Sequence, residues 1–311
     1  MTPLMAAACG GHATTVKLLL ERTDVDLNEA DNGGKTALIY AAMHGHTAAA
    51  SILTNRNDLD INHQDSDGHS ALCWAARSGH EVVVRALLGV EGISANNEGG
   101  HSPLVEAASS GHEAVVRVLL AHGVSVNSKD AWDRSPLAAA AGCGHEDVVR
   151  LLLAEKDIVV KEEDESVSSA LGSAVWNGNK AVVRLLLAQE CVSINDTLGN
   201  GRTLLGDAAV RGNEAMVRVL LAQEGISVNC KNIEGKTPLH LAAFGRLGKL
   251  TGEKDRLGRL AVIKLLLERE DIDIDSTDND GRTPLDMANL ALLRHDHHFW
   301  DIKDLLYDYI R

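Results

Sequence analysis

The 311-residue chain is 45% hydrophobic but only 3% aromatic, so Ala, Val and Leu rather than rings must fill whatever core it buries. A formal net charge of −14 sets the molecule against phosphate backbones and anionic membrane surfaces, which argues against nucleic-acid and membrane partners. The five cysteines (Cys9, Cys73, Cys143, Cys191, Cys230) are scattered and form no Cys-x-x-Cys pair, and no apolar run nears the ~18 residues of a membrane span.

From the N-terminus onward, the pattern Thr/Ser-x-Leu begins at Thr2, Thr36, Ser70, Ser102, Ser135, Ser169, Thr203, Thr237 and Thr283, with spacings of 34, 34, 32, 33, 34, 34, 34 and 46. A recurring period near 33 residues is the signature of stacked helical repeats. Each start predicts a first helix. The hydroxyl suits an N-cap, Pro after it fits the first turn, and Leu38 with Ala41 and Ala42 makes a narrow apolar stripe that permits close helix contact. Gly45 and its equivalents end that helix. A second helix follows, with Val and Leu at matching spacing, as in Val115, Val116, Leu119 and Leu120. Between repeats, Asp65-Ser66-Asp67-Gly68 has the chemistry of a tight turn.

These residues resemble the ankyrin-repeat family, whose Thr-Pro-Leu-His-x-Ala motif is matched most fully by Thr237-Pro238-Leu239-His240-Leu241-Ala242-Ala243. The resemblance covers roughly residues 2 to 311 as about nine repeats. It implies one all-α domain over 1–311, a solenoid of paired antiparallel helices with projecting β-hairpin fingers. The 34-residue variant, with the extra loop residue in Asp24-Val25-Asp26-Leu27-Asn28, is similar to arrays common in filamentous fungi. Four departures stand out. The first unit lacks a preceding finger. Val167 replaces the turn Gly in repeat six, just after Glu162-Glu163-Asp164-Glu165, which predicts an irregular finger. Twelve extra residues, Arg246 to Leu257, enter repeat eight as a locally basic loop suited to solvent or to docking. Phe299-Trp300, Tyr307 and Tyr309 are expected to cap the last apolar face over about 299–311.

In such arrays the resemblance implies a concave groove lined by finger tips and exposed first-helix positions. Tyr40, Trp74, Trp132, Trp176 and Phe244, the aromatics outside the terminal cap, all fall at those positions. Arg77, Glu106, Arg134, Cys143, Asn177, Asp207 and Arg211 occupy equivalent places. Large amphipathic rings beside Arg are what interaction hot spots use, although rings of this kind also fill gaps left by Ala and Gly.

Other signals carry less. Gly34-Lys35-Thr36 and Gly235-Lys236-Thr237 mimic the end of a phosphate loop, but the upstream Gly is missing. His12, His46, His80, His112 and His145 recur after Gly at the inter-helix turn and so cannot converge on one point. His295-Asp296-His297-His298 reads as a solvated turn, and neither a metal nor another cofactor is expected. The leading expectation is a cytoplasmic or nuclear interaction scaffold that binds a partner protein or peptide through the groove. One alternative is a small-molecule-binding or catalytic protein, for example in fungal secondary metabolism, that holds a hydrophobic or cationic ligand there. Another is the sensor portion of a larger signalling protein.

Overall fold

The computed structural model describes residues 1–96, 100–160, 170–195, 197–198, 201–245, 253–294 and 300–310. Among the described residues there are eighteen helices and no sheet, an all-α repeat solenoid. The chain divides into two compact units, Met1–Val159 and Val160–Arg311.

In the first unit the leading helices of successive repeats are α1 (Pro3–Cys9), α3 (Ala37–Met43), α5 (Ala71–Arg77), α7 (Pro103–Ser110) and α9 (Pro136–Cys143). They alternate with α2 (Ala13–Leu20), α4 (Thr47–Thr54), α6 (Glu81–Leu88), α8 (Glu113–Ala121) and α10 (Glu146–Leu153). Like packs on like: α3, α5, α7 and α9 form one layer, and α4, α6, α8 and α10 the other. The expected caps are present. Thr36 Oγ1 accepts from the Ile39 N–H, Ser70 Oγ from Cys73 and Ser135 Oγ from Ala138. The Ala pairs, such as Ala75 and Ala76, are fully buried between leading helices, while Val83, Val84 and Leu87 bury the facing side of α6.

Gly45 ends α3 with φ +76, and the next repeat presses on it: a Cβ there would stand 2.7 Å from His80 Nδ1. The His80 ring bonds back to the Met43 carbonyl at 3.1 Å, and His46, His112 and His145 bond the same way to Cys9, Arg77 and Ser109. These four of the recurring histidines are therefore inter-repeat stitches. Asn62 adds another, donating to the Gly92 carbonyl and accepting from the Ser94 N–H.

In the second unit, α11 (Ala170–Asn177), α13 (Leu204–Val210), α15 (Pro238–Phe244) and α17 (Pro284–Arg294) lead. Their partners are α12 (Lys180–Leu187), α14 (Glu214–Leu221), α16 (Glu253–Leu267) and α18 (Trp300–Ile310). Asn213 takes the His place against Gly178. In the next repeat Arg259 takes it against Gly212, and its guanidinium reaches on to Gly245.

Three expectations change. The fingers are not laddered hairpins among the described residues. They are tight turns closed by backbone bonds and, except at Leu198, by an Asp or Asn side chain, with isolated bridges at Gln64–Ser70 and Thr197–Thr203. Asp65 Oδ1, for example, accepts from the Asp67 and His69 N–H groups. The insertion is not all loop: Glu253–Leu257 belongs to α16, while 246–252 lie outside the described residues. Along α18 the buried side chains are Ile302 and Leu306, whereas Trp300, Tyr307 and Tyr309, expected to cover the last apolar face, stay exposed. One face of α18 is aliphatic at 3/4 spacing, and that face is what packs. Phe299, the His295–His298 tract and the acidic run through Val167 lie outside the described residues.

Candidate functional site

Each finger ends one residue before a helix N-cap, so that residue is held over the leading helix. In the first unit these positions are Lys35, His69, His101 and Arg134. The fourth residue after each cap faces them: Tyr40, Trp74, Glu106 and Ala139.

The rings are tied to the fingers by their polar tips. Tyr40 Oη donates to Asp31 Oδ2 at 2.6 Å, which pushes the phenol up to about 12 and holds the Asp31 carboxyl below its ordinary value. Trp74 Nε1 donates to Asp65 Oδ2 at 2.8 Å, and Lys35 Nζ lies 3.2 Å from the same oxygen. Burial pushes the Asp65 carboxyl up, but the His69 N–H, Trp74 and Lys35 outweigh it and leave it lowered. The Lys35 and Arg77 cations stand 5.2 and 5.5 Å from the Trp74 ring centre.

Beside Trp74 runs a continuous aromatic row. The His69 ring is 5.1 Å from Trp74 and stacks on His101 at 3.8 Å with an 8° interplanar angle. Trp132 meets His101 edge-on at 4.5 Å, and Arg134 covers Trp132 at 4.9 Å while bonding Asp130. Under the row lies Glu106, only 4% exposed. Its Oε1 is 3.2 Å from His101 Nδ1, and its Oε2 is 3.8 Å from Arg77. Burial raises its carboxyl, yet His69, Arg77 and His101 together hold it below the ordinary value.

Of the residues picked from sequence, Trp74, Arg77, Glu106, Trp132 and Arg134 thus fall in one cluster with Tyr40 one repeat away. Trp132 is 62% exposed; Tyr40 and Trp74 are half-buried. Cys143 is exposed at the end of α9. His69 and His101 complete the cluster and were missed. Their signal was the repeated Gly-His-Ser of Gly68-His69-Ser70 and Gly100-His101-Ser102, which puts one ring type before two successive caps.

The second unit brings together Trp176, Asp207 and Arg211. Arg211 lies 3.6 Å and Arg202 5.0 Å from the Trp176 ring centre, and Arg202 Nε is 3.5 Å from Asp207 Oδ1. Asp207 is 3% exposed, and its Oδ2 has no hydrogen bond. Burial pushes this carboxyl up to about 6 against the pull of Arg202 and Arg211. Asn177 is exposed at the end of α11, with its side chain on the Ser173 carbonyl, and Phe244 is half-buried at the end of α15.

Comparison with family models matches ankyrin repeats in triple copies over residues 1–65, 51–130, 128–197 and 171–250, and a single ankyrin repeat over 234–279. The chain belongs to the ankyrin-repeat family. No curated protein matches it as a relative. Ankyrin repeats are generally protein-interaction modules, and no helix among the described residues is long and apolar enough to cross a membrane.

Proposed function

We propose that the first unit docks a partner protein or peptide on the finger and leading-helix face marked by Trp74, Arg77, Trp132 and Arg134. The observation that carries this is Trp132, a 62% exposed indole at a finger tip with a guanidinium laid over it. Trp and Arg are the side chains most enriched at interface hot spots, and an exposed indole gains most from being covered. Asp133, next to it, holds φ +59, a left-handed conformation that L-residues adopt at a cost. The rigid stack orders the face before binding, so little entropy is lost on association.

With the intact chain as bait in native extract, Trp132→Ala is expected to lose the captured partner. Val82→Asp, on the exposed side of α6, is expected to keep it. Both variants should melt close to wild type, because both side chains are exposed. Undiminished capture by Trp132→Ala overturns the reading.

A second reading belongs to the second unit alone: a small ligand that donates a hydrogen bond to Asp207. The unpaired buried Oδ2 supports it. The two guanidinium groups at Trp176 argue for a neutral ligand rather than a cationic one. Mass spectrometry of natively purified protein would show a co-purifying compound that Asp207→Asn no longer retains; no such compound removes this reading.

A further inference from the structure

We propose that His69, His101 and Glu106 form a binding site for a divalent transition metal of the zinc class, with Asp65 orienting His69 from behind. The three side chains come from two fingers and one helix of the same unit. Each offers a ligand atom, and those atoms lie within 4.8 Å of one another. All three are buried. Two imidazoles and one carboxylate are a recurrent zinc set that leaves a fourth position open.

Two features separate this cluster from an ordinary buried ion pair. First, neither ring nitrogen of His69 makes a hydrogen bond, although the residue is 4% exposed. Its Nδ1 faces Asp65 Oδ1 at 3.7 Å and its Nε2 faces Glu106 Oε1 at 3.8 Å, both too long to be hydrogen bonds. A buried imidazole with two idle polar atoms is costly unless something else satisfies one of them. Second, the spacing suits an ion. Donors bound at about 2.0–2.1 Å around a tetrahedral centre stand ~3.3 Å apart. The His101 Nδ1–Glu106 Oε1 and His69 Nε2–Glu106 Oε1 separations are 3.2 and 3.8 Å, and binding would turn the two stacked rings out of parallel so that both nitrogens point at one ion.

The surroundings complete the site. Asp65 stands where a carboxylate commonly receives the far N–H of a metal-bound imidazole and so fixes which nitrogen ligates. Arg77 approaches the other Glu106 oxygen, Oε2, and leaves Oε1 to face the rings. Trp74 and Trp132 flank the two rings. The fourth position would take a water or a side chain brought by a docked partner. This inference stands apart from the docking reading, since the ligands are complete within one unit.

The test uses the full chain stripped with chelator, then titrated with Zn²⁺ by calorimetry and with Co²⁺ by visible absorption. The expected result is one tight equivalent per chain and a cobalt spectrum of tetrahedral type, with binding weakening in acid as ligand protonation competes. Glu106→Gln and His69→Asn should each lower affinity at least tenfold, and Asp65→Asn about tenfold to a hundredfold. Circular dichroism confirms that each variant is folded; Glu106→Gln, being isosteric, keeps the test open if a histidine variant is not. A combined His295→Ala, His297→Ala, His298→Ala variant should bind as wild type. Absence of tight binding, loss of binding in that tract variant, or binding untouched by Glu106→Gln overturns the proposal.

Discussion

The two units each place a carboxylate at the fourth residue after a helix cap, Glu106 after Ser102 and Asp207 after Thr203, and surround it differently. Glu106 lies under two imidazoles and Arg77, which together outweigh its burial and lower its pKa. Asp207 has Arg202 and Arg211 nearby, but burial wins and the carboxyl rises to about 6. Repeat position therefore decides where an acid stands, and burial and neighbours decide the direction in which its pKa moves. The same contrast extends to the inter-helix slot. The first unit fills it with small, half-buried His rings, whereas the second fills it at one place with Arg259, only 2% exposed.

The largest effect is expected from that slot. Arg259→Ala removes a buried side chain packed against Gly212 and Gly245, and should destabilise the chain by about 3 kcal/mol in denaturant melts. His80→Ala removes one hydrogen bond from a half-buried ring and should cost about 1 kcal/mol. Equal costs would mean that Arg259 is no more than a large filler of the His position, and the contrast between the units would fail there.

Next comes the pH response. Asp207 has a folded pKa above its unfolded value near 3.8, so its contribution is fully present below that value and is lost as pH rises through about 6. Glu106 is opposite in sign: its folded pKa is lowered, so its contribution is present above the ordinary value of 4.5 and is lost as pH falls through the lowered one. Asp207→Asn should therefore gain on wild type between pH 4 and pH 7, by on the order of 2 kcal/mol. Glu106→Gln should lose ground to wild type over a lower window, as pH rises toward the ordinary value of 4.5, and little above it. Parallel pH–stability curves for wild type and Asp207→Asn would remove the distinction between the two acids.

The fold was legible because every rule that builds it is local and repeated. A Ser or Thr cap, an Ala pair and a turn Gly can each be read within about a dozen residues, and their recurrence fixes the register. The candidate site was half legible. Register placed Trp74, Glu106 and Trp132 on comparable surfaces. It could not show that Trp74 and Tyr40 are anchored through their polar atoms to Asp65 and Asp31, nine residues upstream, because that depends on how each finger folds back over its own helix. His69 and His101 escaped for the same reason: their stacking joins two adjacent fingers across thirty-two residues of sequence. At the C-terminus, aromatic content misled. Burial there follows the 3/4 spacing of Ile302 and Leu306 rather than ring size.

The smallest effect returns to the fingers. The left-handed turn position is Gly at 34 and 68 in the first unit and at 201, 235 and 281 in the second, whereas one finger of the first unit places Asp133 there at φ +59 beside Trp132. An Asp in that conformation is strained relative to Gly, and the exposed Lys129–Asp133 ion pair at 3.0 Å offsets little of it. Asp133→Gly is therefore expected to stabilise the chain by about 0.5–1 kcal/mol. Gly281→Asp, where a Cβ meets nothing within 4 Å, should destabilise it by a similar amount, since backbone strain alone is being added. Two opposite shifts of matching size in denaturation midpoint would show that the first unit tolerates strain at the one finger that presents its indole. If Asp133→Gly destabilises instead, the ion pair with Lys129 outweighs the backbone cost, and strain loses its place as a marker of the docking face.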